Sequence, residues 1–198
     1  MNTRISLLAV LVFFYIMIFS CSEDSLDRTI FIPDEDDYRL PAYTEWGYNS
    51  FGAEYERDYF LASNKIVPCK IMYNNGELQF ALQGTIRNKD EMMLLFIFPF
   101  TSISDYTDLV QLNDVEIDLS ADNGCIVKII KDNVETMLDI IEGKLHFKRT
   151  QLLIVDEKVN RVILSGVFDL RFIGNLFPEN ISNGRFDLGI TNSVFYRQ

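Results

Sequence analysis

One histidine, three cysteines and one tryptophan in 198 residues leave few side chains for metal, redox or nucleophilic chemistry. The histidine, His146, lies between Leu145 and Phe147 in an alternating stretch and shares a face with Lys144 and Lys148. That position reads as an exposed strand face rather than a ligand or a base. One histidine and so few cysteines do not compose a zinc site of the usual types. The chain also lacks a Gly-x-Ser-x-Gly elbow, a His-Glu-x-x-His pair and a phosphate-cradling glycine loop. No catalytic, metal or cofactor-binding residue is therefore assigned. Positive charge is scarce as well: 18 Lys and Arg stand against 29 Asp and Glu, a net charge of −11. A polyanion such as nucleic acid is thereby excluded as a partner, and no basic patch is available to hold an anionic membrane.

What the chain does have begins at its start. Arg4 and the amino terminus precede Ile5–Phe19, a run of fifteen residues broken only by Ser6. Such a run is an n-region followed by an h-region, and it is shorter than the roughly 20 apolar residues that cross a bilayer. It ends at Ile18-Phe19-Ser20-Cys21, which resembles the box at which a bacterial lipoprotein is lipidated and cut. The resemblance implies acylation of the Cys21 thiol and cleavage before it, although Phe19 is bulkier than the pattern prefers. Two or three acyl chains, at about 0.8 kcal/mol per buried methylene, suffice for stable anchoring. On this reading residues 1–20 are a signal peptide, and the membrane is a partner only through lipid on Cys21. The mature chain then carries 17 basic and 29 acidic residues, a net charge of −12.

Residues 21–43 combine the lipidated cysteine with Glu23, Asp24, Asp27, the run Asp34–Asp37, Pro33 and Pro41, and show no apolar period. Composition of this kind predicts an extended, self-repelling tether with a solvated charge run. The run lacks the glycine turn and distal glutamate of a calcium loop. Residues 44–198 are long enough for one domain with a real core. Within them Cys69 and Cys125 are a candidate disulfide pair, closing a loop of about 57 residues, or two free buried thiols.

From Trp46 on, short apolar alternations separated by turn residues predict strands. Glu56-Arg57-Asp58 divides one hairpin. Asn75-Gly76 is a type I′ turn candidate that sets Tyr73 opposite Leu78, Ile71 opposite Phe80 and Cys69 opposite Leu82. Met92–Phe98 is apolar throughout, as in a central strand covered on both sides or, less in keeping with its length, a short buried helix. Thr101–Asn113 is ambiguous, and Val134–Ile141 fits helix or strand, its neighbours favouring strand. Val115, Ile117 and Leu119 alternate with Glu116 and Asp118, and Asn123-Gly124 turns the chain. Val162–Phe172 keeps a period of two around Gly166, whose missing side chain predicts a bulge or a close backbone approach. Asn183-Gly184 reads as a turn before Phe186, Leu188 and Ile190. The fold expected is all-β, an antiparallel sandwich or barrel of about nine to eleven strands.

Leu164-Ser165-Gly166-Val167-Phe168-Asp169-Leu170 and Ile181-Ser182-Asn183-Gly184-Arg185-Phe186-Asp187-Leu188 resemble the paired SGxFxF and NGRFD ends of Bacteroidota lipoprotein families of unassigned activity. Asn49–Gly52 and Tyr73–Leu78 are similar to theirs too. Ser22-Glu23-Asp24 resembles the surface-export signal of that group, and Asp24-Ser25-Leu26 its short O-glycosylation acceptor. The resemblance implies an outer-membrane or cell-surface address and imports no activity.

Three functional readings remain. The first is a non-enzymatic binding or scaffold module with a protein or glycan partner. The second is a carbohydrate- or small-ligand-binding domain, for which Trp46, Tyr48, Phe51, Tyr55 and Tyr59 are stacking candidates. The third is a carboxylate-dependent hydrolase drawing on Asp114, Glu116 and Asp118, which share one strand face at about 6.6 to 6.8 Å intervals. Arg185 and Asp187 are expected to bridge to Asp169 and Arg171 on a neighbouring strand.

Overall fold

The computed structural model describes residues 28–63, 67–100, 103–174 and 177–197. The signal segment, Cys21, Ser22-Glu23-Asp24 and Asp24-Ser25-Leu26 lie outside them. Strands β1 (Ser50–Tyr55) and β2 (Asp58–Ala62) form the first hairpin, followed by β3 (Cys69–Asn74), β4 (Glu77–Ile86) and β5 (Asp90–Pro99). A 3₁₀ helix, Tyr106–Leu112, leads to β6 (Val115–Asp118), β7 (Ile126–Lys131) and β8 (Val134–Met137). Three longer strands, β9 (Asp139–Val155), β10 (Lys158–Ile173) and β11 (Pro178–Ile190), and the short β12 (Phe195–Arg197) complete the chain.

All twelve belong to one open sheet in the order β6-β9-β10-β11-β1-β2-β4-β5-β7-β8, with β3 on β4 and β12 on β3. The fold is all-β and almost wholly antiparallel, as the alternation predicts. β12, three residues long, takes the count to twelve and pairs in parallel with β3. β4 changes partner along one edge, from β3 at Glu77–Leu82 to β2 at Gly84–Ile86. The sheet folds over so that its two halves meet face to face, in the manner of a sandwich. Phe80 of β4 lies 5.5 Å from Phe147 of β9 and 5.2 Å from Phe186 of β11, and Phe96 of β5 lies 5.6 Å from Phe168 of β10. Among the described residues nine phenylalanines are fully buried. Packed ring pairs of this kind add about 0.5–1.5 kcal/mol each beyond burial of their area, so the interior is a filled core.

The β3–β4 turn is the one the spacing predicts. Asn75 and Gly76 have φ of 49° and 89°, and Cys69↔Leu82, Ile71↔Phe80 and Tyr73↔Leu78 are paired with all six side chains buried. Thr101–Asn113, ambiguous from its pattern, contains the 3₁₀ helix. An Asp105/Asp108 capping box starts it, and Leu109 and Leu112 enter the core.

Two expectations change. Asn183-Gly184 does not separate strands, because β11 runs through it. Asn183 takes φ 53°, and the register with β10 slips there, Phe168 facing Gly184 while Leu170 faces Ile181. Only Asn183 takes a positive φ, whereas a type I′ turn would need it at Gly184 as well, and Asn-Gly accepts either arrangement. Gly166 marks a second shift, between β10 and β9, and a Cβ there would stand 2.2 Å from the carbonyl oxygen of His146.

The other concerns Arg28–Tyr43, read from composition as the distal part of an extended tether. This segment folds back through an Asp34 N–H bond to the Leu40 carbonyl and an Ala42 N–H bond to the Ile32 carbonyl, and buries Leu40. Its acidic run has partners: Asp34 meets Arg185 at 2.6 Å, and Asp37 meets Arg39 at 2.8 Å and the Tyr59 hydroxyl at 2.9 Å. With Asp34 and Asp37 each facing an arginine, part of the run's mutual repulsion is offset, and the arm packs on the sheet.

Candidate functional site

Phe186 and Leu188 of β11 point into the core, so Asp187 between them faces the opposite side of the sheet. It is nevertheless 1% exposed. The cover is the loop at residues 44–48. Oδ2 of Asp187 accepts from the Thr44 hydroxyl at 2.5 Å and from the backbone N–H groups of Trp46 and Tyr48 at 3.1 and 3.2 Å. Oδ1 accepts from the Gly47 N–H at 2.7 Å and the Ser165 hydroxyl at 2.9 Å. A buried carboxylate is costly unless its lone pairs are filled, and five donors fill these. Asn49 adds a further pin, its Oδ1 accepting from the Gly189 N–H at 2.9 Å. Gly47, at φ 75°, lies against Gly189 and Ile163.

Trp46 stands on this pinned loop with 69% of its surface exposed. Around it Tyr43, Thr44, Glu45, Arg149 and Gln151 line an open depression of about 540 Å³. Tyr43 Oη donates to Glu45 Oε1 at 3.1 Å, and Arg149 Nε lies 3.4 Å from Glu45 Oε2. Arg149 also donates to Gln151 Oε1, and Gln151 Nε2 donates to the Glu45 carbonyl at 3.2 Å. Lys148 Nζ sits 5.0 Å over the Tyr43 ring. Burial and the bond to Glu45 raise the Tyr43 pKa well above the ordinary phenol value, so the hydroxyl stays a neutral donor. An exposed indole is thus framed by planar polar groups that already hold one another in place.

A second depression, about 500 Å³, lies on the outer face of β9–β11, where Asp118, Glu142, Lys144, Asp169, Arg171 and Asn180 meet. Its carboxylates are each engaged. Asp118 accepts from the Ser120 N–H at 2.9 Å, Asp169 from the Asn183 N–H at 2.8 Å, and Glu142 lies 3.6 Å from Arg171. Desolvation raises the Asp169 pKa against the lowering by Asn183 and Arg185, while the Ser120 N–H lowers that of Asp118.

The residues singled out from the sequence scatter. Trp46 is exposed, but Phe51 is in the core, the Tyr55 hydroxyl is bonded to Glu179 at 2.7 Å and that of Tyr59 to Asp37. Arg185 and Asp187 do not bridge to Asp169 and Arg171. The register sets them opposite Val167 and Ser165, where Arg185 reaches the arm and Asp187 the loop. On the β6 face, Asp114 meets His146 Nε2 at 3.0 Å and Glu116 meets the Lys144 ammonium at 2.6 Å, so both carboxylates have partners across the strands. Cys69 and Cys125 are free and buried, and burial pushes the Cys69 thiol up to about 12. Among the described residues no group of three or more His, Cys, Asp or Glu could hold a metal ion. Tyr43, Arg149 and Gln151 carry no local signal, since only the fold brings residues 43–46 beside 149–151. In comparisons with known proteins, no family model, no curated protein and no solved structure matches this chain.

Proposed function

We propose that the chain is an envelope lipoprotein, anchored through Cys21, whose β domain is a non-enzymatic binding module that takes its ligand on the outside of the sheet. The observation that carries this reading is Trp46, a large aromatic ring left in solvent on a loop fixed by a buried carboxylate. Large apolar side chains are normally withdrawn from water, and a loop already immobilised loses little entropy on binding. The spelling of residues 18–21 and the likeness to Bacteroidota lipoproteins support the outer-membrane or cell-surface address.

The anchor is tested by metabolic labelling with a tagged fatty acid. Wild type should incorporate label and Cys21→Ala should not, remaining as the longer precursor; label retained by the variant sinks the anchor. The binding surface is tested through the single tryptophan. Its emission should be that of a hydrated indole, readily quenched by acrylamide, and a blue, shielded emission would mean that the shelf is covered by the chain itself.

A further inference from the structure

We infer that the Trp46 shelf is a platform for a neutral saccharide, with one pyranose face stacked on the indole. The inference rests on the binding-module reading and names the ligand class of its site. A pyranose presents an apolar C–H face and a rim of hydroxyls, and the shelf presents the complement of both. The exposed indole supplies the stacking surface. Beside it Glu45, Arg149 and Gln151 supply paired acceptors and donors that suit neighbouring hydroxyls. These groups are held by bonds to one another, so their geometry exists before a ligand arrives, and the backbone of Trp46 is held by Asp187.

Charge decides between ligand classes. Glu45 and Arg149 offset each other 3.4 Å apart, and Lys148 is engaged with the Tyr43 ring. Neither a polyanion nor a polycation finds a field of one sign here. A lipid surface is disfavoured because the ring is bordered by charged and amide groups rather than by aliphatic side chains, which would have to be dehydrated on insertion.

The single tryptophan makes the site its own reporter. The full mature protein in detergent would be titrated with maltohexaose, cellohexaose, mannohexaose and xylohexaose, with sorbitol as the control for bulk hydroxyls. At least one oligosaccharide should shift Trp46 emission to the blue and protect it from acrylamide, and should be recovered at unchanged length. Calorimetry should then show binding weakened about tenfold or more in Trp46→Ala, at an unchanged unfolding midpoint. Arg149→Ala or Gln151→Ala should weaken it as well while leaving the indole in place. Absence of any response to the four sugars, binding that persists in Trp46→Ala, or shielding of Trp46 by phosphatidylcholine vesicles in place of sugars would each overturn the inference. Shortened oligosaccharide would overturn both it and the non-enzymatic reading. A negative sugar result with fatty-acid labelling still dependent on Cys21 removes the glycan and leaves the anchor; label retained by Cys21→Ala removes the anchor and leaves sugar binding standing.

Discussion

The β3–β4 hairpin and the seam where residues 28–49 cross β11 are held by different physics. In the hairpin, two residues of positive φ set the turn and three apolar pairs between Cys69 and Leu82 do the rest. At the seam the stabilising groups are polar and far apart in the chain. Asp187 gathers four of its five donors from about 140 residues away, and Arg185 reaches Asp34 at a separation of 151. Burial of a hairpin face tolerates the loss of one contact, because water is excluded by the others. A carboxylate surrounded by N–H and O–H groups does not, because removing it leaves every donor without its acceptor.

Asp187→Ala should therefore have the largest effect of the substitutions considered. Five donors lose their partner, those of Gly47 and Ser165 in fully buried bonds, and the expected loss is about 3–5 kcal/mol in chemical denaturation. The same change should free the loop at residues 44–48 and broaden Trp46 emission. A loss below about 1 kcal/mol would mean that the loop peels away and lets water solvate its amides, making the seam a peripheral contact.

Gly76→Val tests the hairpin. It puts a β-branched side chain where φ is 89°, with nothing within 4 Å of the new Cβ, so the cost is backbone strain alone. About 1–3 kcal/mol is expected. Escape by a one-residue slip would turn Ile71, Tyr73 and Phe80 away from the core, so the chain has no cheap way out. A denaturation midpoint and slope equal to wild type would refute the strain.

The same contrast explains what could be read from the residues. Turns at Glu56-Arg57, Asn75-Gly76 and Asn123-Gly124, and the alternation that buries one face of strands such as β3 and β7, are local and were legible. Asn183-Gly184 shows the limit, since Asn and Gly serve a bulge with one positive φ as readily as a turn with two, and only the flanking strands decide which forms. The acidic arm shows another. Asp34–Asp37 repel one another in isolation, and only the fold supplies Arg185 and Tyr59 as partners. Of the candidate site, Trp46 was one of five aromatic stacking candidates, and nothing local set it apart from Phe51, which is core. Arg149 and Gln151 could not be named, because the shelf joins a loop to a strand over 100 residues later.

The two regions should also respond to opposite ends of the pH scale. Burial raises the Cys69 thiol from 9.0 to about 12, so its neutral form is favoured in the folded state. A raised pKa contributes stability that is complete below the unfolded value and declines as pH rises from there toward the folded value. Denaturation should show a loss of about 1 kcal/mol between pH 8 and pH 10 from this group. Cys69→Ala, although destabilised by its small cavity, should lack that part of the slope. An unchanged slope in the variant would assign the alkaline loss to other groups.

The smallest effect belongs to the arm. Arg185→Met removes the partner of Asp34 while keeping much of the aliphatic stem, and a partly exposed pair of this kind is worth up to about 1 kcal/mol. Global stability should barely change, so the readout has to be local. Tryptic cleavage after Arg39 should accelerate in the variant, because Leu40 leaves its buried position more often once the arm has lost its ion pair. The acid side tests the same contact without mutation. Hydrogen bonds from the Asp36 amide and the charge of Arg185 lower the Asp34 pKa, and the Arg39 side chain lowers that of Asp37. Carboxylates with depressed pKa values contribute stability above their unfolded value near 3.8 and lose it as pH falls through the folded values. Leu40 methyl resonances should therefore hold their folded shifts below pH 3.8 and move toward random coil only at more acid pH, and in Arg185→Met that move should come at higher pH. Release at the same pH in both proteins, with equal cleavage after Arg39, would show that burial of Leu40 holds the arm and that its ion pair contributes nothing measurable.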